Sequence, residues 1–254
     1  MAKSLLGKTV LITRPEGQNQ RLCELLLNQG AKVIAFPTIE IEPLYTDQNY
    51  SNLSEFDFVI FTSSNAVKFS APQLRQQHES WPDTVLAAAI GNSTKKVLHD
   101  HNLPCHISPA FNFSSESLLS MDNFKDLTGK KILIITGTNG RPFLKQNLQS
   151  RGATVEEQFC YQRKVPNYPV SVIMQLSKVN IDFVVCTSNS SLENLTALLG
   201  KQLGKYLTAN KSIQLIGFSS RIIPLAVKSG FINTPIITAE ASDDSVLAAI
   251  NQLL

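Results

Sequence analysis

The sequence predicts an α/β protein built on parallel sheets, and three observations predict it. Short apolar runs alternate with stretches whose apolar residues fall at helical spacing, the order that right-handed β-α-β crossovers require. Each run stops at hydroxyl, amide or glycine residues, as in Asp57-Phe58-Val59-Ile60-Phe61-Thr62-Ser63-Ser64-Asn65. That stretch returns as Asp182-Phe183-Val184-Val185-Cys186-Thr187-Ser188-Asn189-Ser190. A continuous short apolar run bounded in this way is a strand buried on both faces. Its polar end lies where open α/β sheets bind ligands. Two such ends predict two sheets and a shared cleft.

In chain order, Val10-Leu11-Ile12-Thr13 is the first strand, broken by Arg14-Pro15. Leu22, Leu25, Leu26 and Leu27 form a helical face that Gly30 ends. Lys32–Phe36 is the second strand, closed by Pro37, and 38–55 reads as irregular with a crossing near 37–45. The Asp57 strand leads to a helix over 65–77; Val85–Ile90 is a strand, and a helix starts after Gly91-Asn92-Ser93-Thr94. Cys105-His106-Ile107 reads as a short strand, and Ser114 or Ser117 caps a short helix. Lys131–Ile135 is a strand, the turn 137–140 leads to a helix over 142–150, and 154–159 is the next strand. A second crossing spans Tyr161 to Pro169. The remainder repeats the middle: the Asp182 strand, a helix 190–200, the strand 213–216, a helix 219–229, the strand 235–238 and a last helix 244–253.

The repetition is systematic. Gly7-Lys8 and Gly30-Ala31 recur 122 residues later as Gly129-Lys130 and Gly152-Ala153. Asp57-Phe58-Val59 recurs after 125 residues and Ile90-Gly91 after 126, as Ile216-Gly217. The period is too long for a solenoid and fits two copies of one β-α set. A cut near 125 would separate the copies; a cut at the two Pro-marked crossings would place 1–37 with 168–254. The residues alone leave both open.

The 254 residues are 43% hydrophobic and 17% charged, which suits two globular domains. The net charge of +3 comes without a dense Lys/Arg run, so nucleic acid is not an expected partner, while a small anion is. Cys23, Cys105, Cys160 and Cys186 are scattered, which predicts neither zinc nor disulfides and suits the cytoplasm. No apolar run approaches a membrane span, and Gly7-Lys8 arrives too soon for a signal peptide. No long apolar stripe is spare, so a monomer is expected.

The usual catalytic signatures are missing: no P-loop, no dinucleotide fingerprint and no nucleophile elbow. His78, His99, His101 and His106 lack ligand spacing and read as surface residues. What remains are the polar strand ends at Thr13-Arg14, Thr62-Ser63-Ser64, Gly91 to Thr94, Thr136-Gly137-Thr138, Thr187-Ser188 and Gly217 to Ser220. Each can be a plain helix cap. The same free N–H groups and hydroxyls can also hold an anion. Of the nearby cations Arg14, Lys68, Arg141, Arg163 and Arg221, all fit solvated surface charges; Arg14 and Arg141 lie just past a strand end and are preferred. Tyr161 is a potential proton donor at the second crossing, or simply a packed aromatic.

These residues together resemble the uroporphyrinogen-III synthase family over essentially the whole chain. The resemblance rests on Leu11-Ile12-Thr13-Arg14-Pro15, Pro37-Thr38-Ile39-Glu40-Ile41, Asp57 to Val67, Ala89 to Thr94, Ser114 to Leu119, the Tyr161 segment, Thr187-Ser188-Asn189 and Ile216-Gly217. It implies two flavodoxin-like α/β domains joined by two linker strands, one domain discontinuous (1–37 with 168–254) and the other 38–167. It implies a cofactor-free, metal-free reaction on hydroxymethylbilane, which loses its terminal hydroxyl as water and closes through azafulvene and spiro intermediates with the last ring inverted. Tyr161 would assist departure of the hydroxyl. Thr62, Ser63, Ser64, Thr187 and Ser188 would line the cleft, and Gly91 and Gly217 would let backbone approach the ligand. Thr13, Arg14, Thr94, Gly137, Arg141 and Ser219 complete the implied substrate-binding set. A transient contact with the upstream bilane-forming enzyme is implied as well. Two positions depart from the family pattern: Thr136 where an Arg is common, and Phe218-Ser219-Ser220 after Gly217. The alternative is a two-lobed small-anion binding or sensor protein of the same architecture; a phosphorelay receiver pair would need an acidic cluster at the first strand end, and none is there.

Overall fold

The computed structural model describes residues 5–44, 50, 52–138, 140, 142–209 and 213–254, with backbone alone for 201–209. In chain order the elements are β1 (Thr9–Ile12), α1 (Gln20–Asn28), β2 (Lys32–Ala35), β3 (Glu40–Pro43), β4 (Phe58–Phe61), α2 (Ser64–Gln77), β5 (Leu86–Ala89) and α3 (Asn92–Asp100). Then follow α4 (Ser115–Leu119), β6 (Lys131–Gly137), α5 (Phe143–Ser150), β7 (Thr154–Lys164), α6 (Val170–Leu176) and β8 (Phe183–Val185). The chain ends with α7 (Asn189–Ala209), β9 (Gln214–Gly217), α8 (Ile222–Lys228), β10 (Ile236–Ile237) and α9 (Asp243–Asn251). It divides into two compact units, Met1–Glu40 with Lys164–Leu254, and Ile41–Arg163.

The first unit carries a sheet in the order β10-β9-β8-β1-β2, with every pairing parallel. Read from β2, this is the 2-1-3-4-5 order of flavodoxin-like sheets. The second unit carries β3-β7-β6-β4-β5, and the pairings among β4, β5, β6 and β7 are parallel. The internal repeat explains the likeness of the two sheets. Strands one repeat apart (β1 and β6, β2 and β7, β8 and β4, β9 and β5) occupy equivalent places in them. Each sheet therefore draws strands from both copies.

Central strands are buried on both faces, as their unbroken apolar runs require. Leu11 faces one core cluster of the first unit, while Val10 and Ile12 face the other. In the second unit Val59 and Phe61 face one cluster, and Phe58 and Ile60 face the opposite one.

The repeated Asp-Phe-Val and Gly-Lys signatures serve one purpose. Asp57 accepts the Lys131 backbone N–H at 2.9 Å and the Lys130 ammonium at 2.8 Å, which fastens β4 to β6 at their entry. Asp182 accepts the Thr9 N–H at 2.9 Å and the Lys8 ammonium at 3.2 Å, which does the same for β8 and β1. The Lys130 hydrogen bond, aided by the Lys131 N–H, holds the Asp57 carboxyl below the ordinary aspartate value of 3.8. A depressed pKa stabilises the fold above the unfolded value and loses that contribution as pH falls through the folded value. Asp57→Asn is therefore expected to melt below the wild type at neutral pH, with the gap closing in acid. Urea melts at about pH 7 and about pH 3 check this; a gap independent of pH would remove the role given to the carboxylate.

Several elements differ from the sequence expectation. The irregular 38–55 stretch contains β3, which tolerates Pro43 because it is an edge strand. β7 runs on to Lys164 instead of ending at 159, since its polar last turn of sequence pairs within the sheet. Cys105-His106-Ile107 makes one bridge, Ala88 to Ile107, and no strand. α6 follows directly on the expected crossing, in a stretch to which the sequence assigned no element; Val170 and Met174 stay exposed on it, so no apolar periodicity announced it. α7 leaves helical geometry at Gly200 (φ 63°), where the sequence predicted its end, and helical backbone then resumes to Ala209.

Candidate active site

In the second unit the carboxyl ends of β4, β6 and β7 open on a cavity of about 250 Å³. Thr62, Ser63, Thr136, Gly137, Thr138 and Tyr161 line it, with Ile90, Ser115, Gly140, Leu144 and Arg163 around them. Strand β7 brings Tyr161 there by an irregularity. Thr136 pairs with Phe159 and Gly137 with Tyr161, so Cys160 is an extra residue, a β-bulge. The bulge changes the phase of the strand. Cys160 and Tyr161, neighbours in sequence, both enter the same core cluster. The Cys160 thiol donates to the carbonyls of Thr136 and Ala66, and burial pushes it up to about 12, so it remains a protonated donor at neutral pH.

The phenol is held on three sides. Its ring lies against Gly137 so closely that a Cβ there would stand 2.4 Å from Tyr161 Cζ. Phe69 packs on it with centroids 5.9 Å apart. The hydroxyl meets Ser63 Oγ at 3.0 Å. Ser63 is in turn fixed as the N-cap of α2, where its Oγ accepts the Ala66 N–H at 3.1 Å. The cap and the site residue are thus one side chain. Beside it the Thr62 hydroxyl donates to Thr136 Oγ1 at 2.8 Å.

Among the described residues that line this cavity, Arg163 carries the one formal charge and no carboxylate is present. A second depression of the same unit, about 160 Å³, includes Glu55, Glu156 and Glu157 in its lining and would repel an anion. Among the described residues no group of three His, Cys, Asp or Glu could hold a metal.

The expected site residues do not share one place. Thr62, Ser63, Gly137 and Tyr161 come together in the cavity. Ser64 starts α2 but does not line it, and Thr94 is buried in α3. Gly91 precedes α3 with extended backbone, and a Cβ there would meet nothing closer than 3.8 Å, so close packing does not demand a glycine. Arg141 lies outside the described residues.

In the first unit, Thr13 is fully buried and its hydroxyl donates to the Val185 carbonyl at 2.8 Å. Arg14 is committed to Asp243 at the start of α9 and lies over the Phe218 ring at 5.1 Å. It ties the end of β1 to a helix of its own unit, where the sequence suggested a free cation. Ser188 caps α7 through the Ser191 N–H, and Thr187 is half-buried beside it. Gly217 is a packing requirement: a Cβ would stand 2.9 Å from Ile222 Cγ2. Ser219 accepts from the Arg221 backbone and guanidinium.

Sequence reasoning passed over Arg163 as a surface charge. Its spacing of two from Tyr161 places both on one face of a strand, but only once β7 is known to reach that far.

The family model described as uroporphyrinogen-III synthase HemD matches residues 20–231. The chain belongs to the uroporphyrinogen-III synthase family. A uroporphyrinogen-III synthase from Synechococcus elongatus is 31% identical over 233 residues, 89% of this chain and 83% of that protein. One from Escherichia coli is 29% identical over 248 residues, 95% of this chain and 99% of the relative. The crystal structure of the Helicobacter pylori uroporphyrinogen-III synthetase superposes with a TM-score of 0.67 at 17% identity, covering 97% of this chain and all of that one. A Thermus thermophilus uroporphyrinogen III synthase gives 0.61, also at 17% identity. These likenesses show the fold and agree with two α/β units on parallel sheets. Among the described residues no helix is long and apolar enough to cross a membrane.

Proposed function

We propose that this protein cyclises hydroxymethylbilane to uroporphyrinogen III with release of water, and that Tyr161 is its catalytic acid. The observation that carries the role of Tyr161 is its fixed phenol at the wall of a cavity lined with hydroxyls and one cation. Ser63 Oγ already accepts the Ala66 N–H, so its own proton can point to the Tyr161 oxygen. That leaves the phenolic proton free to face the cavity.

The chemistry follows from this arrangement. The leaving hydroxyl of the bilane takes the Tyr161 proton and departs as water, while the pyrrole nitrogen pushes electrons out and an azafulvene forms. The Ser63 hydroxyl stabilises the phenolate that results. The azafulvene carbon is attacked by the substituted carbon of the last ring, giving a spiro centre that fragments and recloses with that ring inverted. The proton lost when the pyrrole regains aromaticity returns to Tyr161, so one water leaves and the enzyme is restored. No nucleophile or cofactor enters this scheme. The protein's contribution is to place the reacting carbons and to manage one proton.

The four free cysteines support a reducing, cytoplasmic setting. We read the chain as a monomer that receives the bilane from the enzyme that makes it. The test is to feed fresh hydroxymethylbilane, oxidise the products and separate uroporphyrin I from III. Product dominated by type III is expected. Type I alone, at the rate seen without protein, would overturn the reading.

A further inference from the structure

Resting on that reading, we propose that Arg163 is the carboxylate anchor of the cavity. It grips an acetate or propionate side chain of the bilane and so sets which ring lies beside Tyr161. The strand geometry puts it there. After the bulge Tyr161 enters the cavity wall, Gln162 turns away to Glu42 of β3 (3.2 Å), and Arg163 returns to the cavity side. Arg163 and Tyr161 therefore leave one face of one strand two residues apart, so the backbone sets where both side chains start.

The charge pattern agrees. Arg14 and Arg21 are paired with Asp243 and Asp244, Arg151 donates to the carbonyls of Leu119 and Phe124, and Arg221 is bonded to Ser219. Arg163 has no such partner among the described residues and is exposed at the cavity. A hydrated, uncommitted guanidinium beside neutral hydroxyls suits a bidentate carboxylate, which accepts two parallel N–H bonds from it. The hydroxyls of Thr136 and Thr138 can add neutral donors but no competing charge. Every ring of the bilane bears one acetate and one propionate, so such an anchor selects by where along the chain its carboxylate sits relative to the ring beside Tyr161, and not by side-chain length.

The test uses the full chain with Arg163→Gln and Arg163→Lys, read by initial rates over bilane concentration and by the ratio of type I to type III product. Loss of one charge-assisted contact is expected to raise KM about 10- to 100-fold in Arg163→Gln, with a smaller change in kcat and a shift towards type I. Arg163→Lys keeps the charge without the fork and is expected to recover part of the KM alone. The residue is exposed, so unchanged melting of both variants is expected. A wild type that forms type III beside an Arg163→Gln variant with unaltered KM and product ratio overturns the anchor but leaves the cyclase reading standing. A wild type that forms no type III overturns both.

Discussion

Tyr161→Phe is expected to lower kcat for type III formation by about 10²-fold, at the lower end of what a positioned general acid contributes. The phenyl ring would keep its place against Gly137 and Phe69, since those contacts involve carbon alone. KM and the type III to type I ratio of the remaining product should therefore change little. The variant removes the proton donor and leaves the Ser63 hydroxyl without its 3.0 Å partner, a loss of about 1 kcal/mol in stability. Stopped-flow or quenched-flow rates, with product separation, check the prediction. A kcat within a factor of about two of the wild type would exclude Tyr161 from proton transfer.

Gly137→Ala is expected to do comparable damage for a different reason. The added methyl carbon would lie 2.4, 2.5 and 2.9 Å from three atoms of the phenol end of the Tyr161 ring. Real Cβ atoms do not approach that closely, so the ring must leave its seat. The backbone at Gly137 is held by its pairing with Tyr161 and by the Thr138 N–H donating to the Tyr161 carbonyl at 2.9 Å, so it cannot withdraw. A displacement of about 1 Å at a reacting group can cost about 10²-fold in rate, and overpacking adds about 1–3 kcal/mol of destabilisation. Unlike Tyr161→Phe, this change should raise KM and release more type I product, because the displaced ring takes cavity space. The double variant separates the two mechanisms. If both act through one hydroxyl, Gly137→Ala should slow the Tyr161→Phe background far less than it slows the wild type. Full additivity would show that Gly137 acts on something else.

What the sequence disclosed follows from which interactions are local. Ser63 was legible because a hydroxyl after a buried strand and before a helix is a cap by short-range geometry, and the cap turned out to hold the phenol. The Asp57 and Asp182 runs were legible as buried strands because each is a short apolar run stopped by hydroxyl and amide residues, which fits a strand covered on both faces. Arg14 was misleading, since its partner Asp243 sits on the last helix and nothing near Arg14 in sequence announces it. Gly137 looked like a loop glycine. Its demand for a bare backbone comes from a ring that only the bulge at Cys160 brings over it. Arg163 was hidden by the polar end of β7, which looks like linker until β3 is seen to pair beside it.

The interleaving of the two sheets also sets a timetable for the nascent chain. Strand β1 leaves the ribosome well before its neighbour β8, which begins at Phe183. At about 5–20 residues per second the wait is on the order of 10–30 s. During that interval the unit Ile41–Arg163 is synthesised without interruption and can close its own core. The apolar run Val10-Leu11-Ile12 has β2 on one edge and no occupant on the other. Chains truncated between residues 164 and 183 and released should then resist protease over 41–163 while being clipped nearer the N-terminus.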